Sequence, residues 1–588
     1  MSNIYAQEPV NIYERSTRDS MSIFDSEDAF KPKVPDADRY QKDKVFLERA
    51  DVLLMDDNIS ADYQIISGDV QFRKEGMFMY CDSAYFYEQK NSLDAFGNVR
   101  MEQGDTLFVY SDVMYYDGME ELARLRGNVR MINKDVTLYT DSLDYDMAVN
   151  LGFYFNGGRL VDVENDLTSI YGQYSPDTKD AEFLFDVVLV NERYTMETDT
   201  LNYNTDTQIA DIVGYTTIVS DSSVIYSQKG WYDTKVDVAT LYKRSMMVGK
   251  DNEKLTGDTL FYDRNKSFGE AFGNMVLSDS INKMILKGDY GFHDDAKKIS
   301  FATKRAMVME YSQGDTLYMH GDSIMTFIDK ADTSRIMTAY HKVRFFREDM
   351  QGVADSISYQ TRDSIMYMYR NPVIWNENKQ ISGNEMHVHM NDSTMDWVKL
   401  PNMGIMAEHI EESFYNQLSG KEVLIYFKNG SIDQMDVNGN VQTLVYPTEA
   451  DSTFNKMVKA ESSFMLAKFK NGAVDMMKMW PSVTGKAYPL FMTLKSDIFL
   501  PSFKWHEGIR PKDKDDIFNI PQEMVDLIKS ADSVSASTGR NRMTVKSEPK
   551  EEEIEELLND EDELQEDKDL PLSDDEISAD SSDIDVVE

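Results

Sequence analysis

Apolar and polar side chains alternate with a period of two along most of this chain, and the alternating stretches recur at a regular interval. One clear stretch, 255–278, contains a strand-like arm, a polar turn at 264–266 and a second arm introduced by Gly273-Asn274. Such alternation is typical of a half-buried β-strand, because successive side chains of a strand point to opposite faces. The interval between copies is about 30 residues, which indicates a repeat architecture.

The copies align on an anchor residue, usually an aspartate, that follows a small residue. The side chain two places after the anchor is apolar in most copies and the one four places after it is usually aromatic, as Leu143 and Tyr145 show for Asp141. The position between them varies freely, so we expect the constrained side chains to face a common interior. Two copies break the pattern, because Ser175 and Gly291 hold the inward position. The anchors are Asp51, Asp82, Asp112, Asp141, Gln173, Asp199, Gln228, Asp258, Asp289, Asp322, Asp355 and Asn384.

A glycine followed by asparagine introduces the second arm in several copies, for example at Gly97-Asn98 and Gly127-Asn128. Both residue types tolerate the left-handed backbone conformation, so the pair predicts a tight turn. The residues after the pair alternate again, and Val99 and Met101 point one way while Arg100 points the other. Each unit is therefore predicted to be a strand, a turn, a strand and a second turn.

These patterns predict an all-β fold, an elongated β-jellyroll made of about twelve two-strand repeats of about 30 residues each. Residues 521–532 read as a short amphipathic helix that would plug an open end of the stack. The residues after it are rich in serine and then in acidic side chains, a composition that buries too little apolar surface to fold. The predicted division is a flexible lead-in (1–43), regular β repeats (44–396), atypical repeats or a cap (397–512), a helical segment (513–532) and a disordered acidic tail (533–588).

Charge and cysteine content narrow the function classes. A formal net charge of −43 argues against binding nucleic-acid phosphates, which requires clustered Lys and Arg. A single cysteine, Cys81, excludes an internal disulfide framework and a cysteine-based zinc site. Ala6 before Gln7-Glu8-Pro9 resembles the end of a secretory leader, so we expect a hydrophobic leader upstream of Met1, with an ordinary unstructured start as the alternative.

Candidate catalytic and metal-binding chemistry is sparse. The recurring aspartates are singly spaced, whereas calcium repeats place several ligands within one turn, so we expect each aspartate to accept a hydrogen bond from a turn. His387 and His389 share one face of a predicted strand, which suits a metal ion, but that face is the outward one and the pattern offers no acidic partner there. No nucleophile elbow or phosphate-binding glycine loop is present. We predict a protein that is not an enzyme and needs no cofactor.

The inward face is unusually rich in soft apolar side chains. The chain has 37 methionines, many of them at inward positions. Methionine is unbranched and polarizable, so a face lined by it adapts to guests of varied shape. A long, aligned face of this kind would suit acyl chains, while plain core packing is the alternative reading.

A repeated motif resembles the OstA-like repeat of the lipopolysaccharide-transport family. It is present at 140–146 (T-D-S-L-D-Y-D), 257–263 (G-D-T-L-F-Y-D) and 271–276 (A-F-G-N-M-V). The resemblance covers roughly 45–395. It implies a twisted β-jellyroll with an open apolar groove, a periplasmic location and a role in carrying lipopolysaccharide towards the outer membrane. From the alternation, the lipid chains would contact Val99, Met101, Val129, Met131, Leu143, Tyr145, Leu260, Tyr262, Met275 and Leu277.

The same resemblance implies partners at the two ends of the stack. Exposed strand edges would pair with inner-membrane transporter and outer-membrane translocon components, or with a second copy end to end. The chain is longer than a bridge protein of that family requires. A structural or adhesive β-solenoid with a dry core remains the alternative, and a polysaccharide-acting β-helix would need an outer cluster of carboxylates that the sequence does not supply.

Overall fold

The computed structural model describes residues 44–55, 62–312, 314–329, 333–391, 394–448, 453–470 and 473–538. In these residues the chain forms 44 β-strands, one α-helix and a few single turns of 3-10 helix. The prediction of an all-β fold is therefore confirmed. The predicted lead-in at 1–43 and the tail from 539 onward lie outside the described residues.

The described chain divides into two compact units, the first ending at Phe183 and the second beginning at Leu184. In the first unit each long strand is bent at its middle, and its two halves pair in two separate antiparallel ladders. Side chains from the two ladders meet in the interior, where the rings of Phe72 and Phe86 are 5.5 Å apart. Its strands are β1 (Phe46–Arg49), β2 (Val52–Leu54), β3 (Gln64–Lys74), β4 (Met77–Tyr87), β5 (Ser92–Gln103), β6 (Leu107–Asp117), β7 (Leu122–Asn133), β8 (Val136–Asp146), β9 (Leu151–Tyr154), β10 (Gly158–Val161), β11 (Asn165–Ser169) and β12 (Tyr171–Tyr174).

The second unit repeats this arrangement, for the most part with shorter strands. Successive pairs of strands along the chain belong alternately to one antiparallel ladder and to a second one. Strand β13 (Asp180–Asn191) contains the boundary between the units. The others are β14 (Tyr194–Asn204), β15 (Ile209–Ile212), β16 (Thr216–Ser220), β17 (Ser223–Ser227), β18 (Lys229–Asp233), β19 (Val238–Tyr242), β20 (Met246–Gly249), β21 (Lys254–Thr256), β22 (Thr259–Asp263), β23 (Phe268–Asp279), β24 (Met284–Asp294), β25 (Ile299–Thr303), β26 (Met307–Glu310), β27 (Leu317–His320), β28 (Ser323–Ile328), β29 (Arg335–Tyr340), β30 (Val343–Arg347), β31 (Met350–Ala354), β32 (Ser356–Gln360), β33 (Ile365–Tyr369), β34 (Val373–Asn376), β35 (Lys379–Gly383), β36 (Glu385–Met390), β37 (Met395–Leu400), β38 (Gly404–Glu411), β39 (Phe414–Gly420), β40 (Glu422–Lys428), β41 (Ser431–Val445), β42 (Lys456–Lys470), β43 (Ala473–Trp480) and β44 (Thr484–Pro489).

The Gly-Asn pairs lie inside strands, so the prediction that they form reversals is wrong. Gly97 and Asn98 are both left-handed and form a bulge at the bend of β5, where the pairing with β6 skips from Phe96 to Val99. Two residues facing one on the partner strand bend and twist a ladder. A bulge and a tight turn both need positive φ, which is why the local sequence did not separate them.

The recurring aspartates hold these bends together. The carboxylate of Asp82 accepts a hydrogen bond of 2.8 Å from the side-chain amide of Asn98 on the next strand. Asp112 does the same with Asn128 at 2.8 Å. The prediction that each aspartate starts a strand and accepts from a turn backbone is corrected at Asp82 and Asp112, which lie within their strands and accept from an asparagine side chain. Asp51, Asp258, Asp322 and Asp355 do directly precede a strand.

Several bends of the second unit use other residues in the same left-handed pair. Lys243-Arg244, Lys304-Arg305, His341-Lys342 and Arg370-Asn371 all have positive φ at both positions. In three of these pairs a side chain reaches the anchor of a neighbouring strand: Arg244 contacts Asp258, Lys342 contacts Asp322 at 2.7 Å, and Arg370 contacts Asp355. Opposite charges thus link the anchor to the bend at these three places.

The predicted helix is present but lies elsewhere than expected. Helix α1 (Gln522–Thr538) continues past the predicted end at Asp532. Its Met524 packs against Val353, Val373 and Trp375 of β31 and β34, on the outer side of one ladder, so the helix is not a plug at an end. None of the helices in the described residues is long and apolar enough to cross a bilayer.

A C-terminal segment, here defined as 498–531, follows the outer side of that ladder. Two glutamines hold its backbone, since Gln417 pairs with Ile498 and Leu500, and Gln380 pairs with Lys504 and His506. A third glutamine, Gln351, accepts from the guanidinium of Arg510. The first two each donate with the amide nitrogen and accept with the amide oxygen, at 2.8–2.9 Å. A side-chain amide of this kind satisfies both backbone groups of an irregular segment.

Cys81 offers a probe of unfolding in the first unit. Its thiol is buried in β4, and burial raises its pKa to about 12. Because only the thiolate is reactive, a thiol reagent at pH 8 should label the folded protein far more slowly than the protein in denaturant. Labelling at equal rates in the two states would contradict the burial of this side chain.

Candidate functional site

The structure places all ten residues predicted to contact lipid in the interiors of the two units. Each has an exposed fraction of at most 3%. The first six lie on β5, β7 and β8, and the last four lie on β22 and β23. Their orientation follows from the strand alternation, since their direct neighbours Arg100, Arg130 and Val276 are at least partly exposed.

The interiors are filled by the protein's own side chains in this structure. Glycines bring strands close to large inward side chains, and Gly152 lies against Tyr145, Leu143 and Met131. Burial raises the pKa of Tyr154 to about 12, so such inward tyrosines stay neutral. The open groove implied by the family resemblance does not run past the ten residues, because they are covered.

The alignment of the copies needs one correction. In the copy anchored at Gln173, the inward side chains are Gly172 and Tyr174, and Ser175 follows the strand. The residue that holds the anchor position there is Ile170, whose carbonyl accepts from the backbone N–H of Gly157. Gly291 does point inward as the alternation predicts, so only its residue type is unusual.

The first unit ends in two strand edges that carry exposed apolar side chains. β1 pairs with the second half of β3 and β2 pairs with its first half, so each closes one ladder within the described residues. Leu53 faces Ile66 across the ladder, yet it is 47% exposed whereas Ile66 is fully buried. The row of interior side chains therefore reaches the surface at β2.

The second unit has a matching pair of edges. β43 and β44 each pair with β42, and within the described residues neither has a further partner. Met477 faces Ala467 across the ladder and is 40% exposed, and Trp480 is exposed beside it. Unpaired backbone groups next to exposed apolar side chains are the usual site for adding a strand from another chain.

An outer face of the first unit carries a row of alternating tyrosine and arginine side chains. The strand register places Tyr80, Arg100, Tyr110, Arg130, Tyr139 and Arg159 side by side on successive strands. The guanidinium of Arg100 lies 4.3 Å from the ring centre of Tyr80, and that of Arg130 lies 4.8 Å from Tyr110. The prediction that Arg100 and Arg130 point outward is confirmed. A cleft of about 630 Å³ lies at this row.

His387 and His389 also lie on the outward face of β36, as predicted, but the statement that no acidic partner is near is wrong. Glu385 accepts from His387 at 2.8 Å, and Asp396 lies 3.0 Å from His389. Glu385 is two residues before His387 and so shares its face, a spacing that the sequence does display. Each histidine has its own carboxylate, so the two do not form one shared site.

Two segments of the chain match known protein families. Residues 42–199 match the family described as OstA-like protein. Residues 308–394 match the family described as LptA/(LptD N-terminal domain) LPS transport protein. A comparison with curated proteins finds no match. The two matched segments contain six of the ten interior residues and one of the two exposed pairs of strand edges.

Proposed function

We propose that this chain, an OstA-like protein over residues 42–199 with an LptA/(LptD N-terminal domain)-like segment at 308–394, binds lipopolysaccharide or a similar lipid and passes it between the membranes of a Gram-negative envelope. The observation that carries the proposal is the unbroken row of inward apolar side chains, which runs through every long strand from β3 to β8 and emerges at β2. The matched families are transport proteins, and the proposed role is not enzymatic.

The covered interior sets a condition on this role. An acyl chain has to enter by parting the strands or by displacing interior side chains, since the ten residues have almost no exposed surface. The ends are suited to entry, because Leu53 and Met477 face inward and are already in contact with solvent. Inward methionines repack at little cost, since an unbranched side chain has several accessible rotamers.

The strand edges suggest how partners would be arranged. We propose that the edges formed by β1 and β2, and by β43 and β44, accept strands from transporter and translocon components or from a second copy. Strand addition preserves the inward and outward alternation, so the apolar interior would continue into the partner. In this arrangement the protein is a periplasmic bridge.

The burial of the interior favours a second candidate, a structural protein whose core stays dry. All ten candidate residues are covered, and clefts of about 630 and 510 Å³ lie on outer surfaces rather than along the interior. A fully packed core stabilises a repeat stack without any guest. The two candidates differ in whether lipid ever contacts these residues.

Photocrosslinking in cells tests the lipid proposal. A photoreactive residue at Met101, Met131 or Leu277 should form adducts with a glycolipid, because these side chains point into the interior. The matched controls Glu102 and Val276 are direct neighbours that point outward, and they should give no adduct above background. Adducts are detected as a shift on gels and identified by mass spectrometry.

Two outcomes decide between the candidates. Interior adducts together with lipid in an organic extract of the purified protein would support transport. Equal labelling at inward and outward positions, or labelling at none of them in a protein that is folded and located in the envelope, would contradict it and favour the dry structural stack.

A further inference from the structure

Three ligand-type side chains meet inside the second unit, beside Tyr262 and Leu277 of the proposed lipid contacts. Glu253 lies just before β21, His293 lies on β24, and Asp295 directly follows β24. One ligand atom from each lies within 4.8 Å of the other two. Among the described residues this is the group of His, Cys, Asp and Glu side chains close enough to share one ion.

The glutamate at this site is buried and incompletely hydrogen-bonded. Glu253 is 7% exposed, and its Oε2 atom is buried with no hydrogen-bond partner. That carboxylate lines a small cavity of about 10 Å³, together with His293, Asp295, Ser223 and Tyr262. Such a volume holds a single water molecule or ion. A buried, unpaired carboxylate is costly, so its retention requires a compensating ligand or a proton.

The histidine is oriented for coordination. Its Nδ1 atom is 2.9 Å from the hydroxyl of Ser300, which leaves Nε2 facing Asp295 at 3.9 Å. A hydrogen bond at one ring nitrogen fixes the ring and directs the other nitrogen to a metal ion.

The repeat pattern sets this histidine apart. His293 is four places after the anchor Asp289, and the same place in other copies is Tyr145, Tyr203 and Tyr262. Those tyrosines are buried in the interior, as His293 is. A ligand-type side chain therefore replaces an ordinary core residue at the one copy that also brings Glu253 and Asp295 together.

We propose that Glu253, His293 and Asp295 bind one divalent transition-metal ion of the zinc type. One imidazole nitrogen and two carboxylates are a common ligand set for such ions, and they leave a fourth position for water or the Ser223 hydroxyl. The ammonium of Lys298 lies between Asp295 and Asp251, and it contacts Asp251 at 2.9 Å. The Asp295 oxygen that lies 3.9 Å from His293 is the Oδ1 atom that Lys298 also contacts, so the ion and the ammonium would share this carboxylate. The bound ion would tie the segment before β21 to the end of β24.

Zinc titration of the full chain tests this site. After removal of metal with a chelator, calorimetry with Zn²⁺ alone should show one strong site per chain in the unaltered protein. Glu253→Gln keeps the shape of the side chain and should weaken that site at least about tenfold. Binding should also raise the melting temperature, because the ion binds only the folded state.

His293→Tyr is the decisive variant, because it restores the tyrosine that six of the other copies carry and so is expected to fold. It should lose the strong site and the zinc-dependent rise in melting temperature. Ala substitution of His387, which lies on an outer surface with its own carboxylate, should leave both unchanged. Equal zinc binding by the unaltered protein and His293→Tyr, or no strong site in the unaltered protein, would overturn the proposal.

Discussion

Replacing Arg344 with alanine is expected to detach the C-terminal segment 498–531 from its sheet. Arg344 is 1% exposed, and it donates to the carbonyl of Ile509 at 2.8 Å and to the carboxylate of Asp516 at 3.1 Å. Burial lowers the pKa of this guanidinium, while Asp516 acts in the opposite direction. Removing the guanidinium leaves the buried carbonyl of Ile509 without its donor and the partly exposed Asp516 without its cation, at a cost of about 1–3 kcal/mol.

Limited proteolysis measures this result. Arg344→Ala should be cleaved within 498–531 much faster than the unaltered protein, and its unfolding midpoint in denaturant should fall. Arg73→Ala is the control, because Arg73 forms an exposed ion pair with Glu48 at 2.6 Å. Such a pair contributes at most about 1 kcal/mol. If both variants resist protease equally well, Arg344 does not hold the segment, and its apolar contacts and glutamine hydrogen bonds are sufficient.

The second large effect is expected at a bend of the first unit. Gly127 has φ +78°, and a Cβ atom there would lie 2.5 Å from a carboxylate oxygen of Asp112. A β-branched residue with positive φ is strongly disfavoured. We expect Gly127→Val to destabilise the protein by about 3 kcal/mol, of which backbone strain accounts for about 1–3 kcal/mol. Denaturant unfolding checks the value.

Further variants separate the backbone strain at Gly127 from its crowding against Asp112. Gly76 is also in the first unit, has no atom within 4 Å of a built Cβ and lacks positive φ, so Gly76→Ala should change the stability little. Combining Asp112→Ala with Gly127→Ala should cost less than the sum of the two, because the crowded carboxylate is gone. Strict additivity would mean that Asp112 and Gly127 do not act on each other.

Local patterns were sufficient to predict which side chains face inward. Leu143 and Tyr145 are buried because strand alternation is a property of the nearest neighbours in the chain, which the sequence displays directly. Leu53 obeys the same alternation but is exposed, since its burial depends on what lies beyond the last strand. Alternation predicts which face a side chain points to, but it does not predict whether other residues bury it.

The sequence predicted the backbone conformation at the bends but not the bulges that form there. Positive φ at Gly97 and Asn98 followed from residue type, but the choice between a reversal and a bulge depends on the partner strand. A recurring interval of 16 residues, from Asp82 to Asn98 and from Asp112 to Asn128, is the signal that identifies the contact. Lys243-Arg244 gave no such signal, because neither residue type usually adopts the left-handed conformation.

The contacts of the C-terminal segment were beyond the reach of local patterns. Gln380 reads as an ordinary polar residue of a strand, and the residues that it holds, Lys504 and His506, are 124 and 126 positions later in the chain. The burial of the interior side chains could not be predicted from local patterns either, because it depends on how side chains from two ladders pack together. His293 is the exception that the sequence does mark, because it stands where six other copies have tyrosine.

The bend between β1 and β2 has a consequence for partner choice. The two strands terminate different ladders, and the backbone N–H of Asp51 between them donates to the carbonyl of Gly68 at the bend of β3. A straight strand from an unrelated chain can satisfy only one of these two edges and leaves the other in water. Only a chain bent at the same angle completes both, so we expect this end of the first unit to accept a jellyroll in preference to a straight strand.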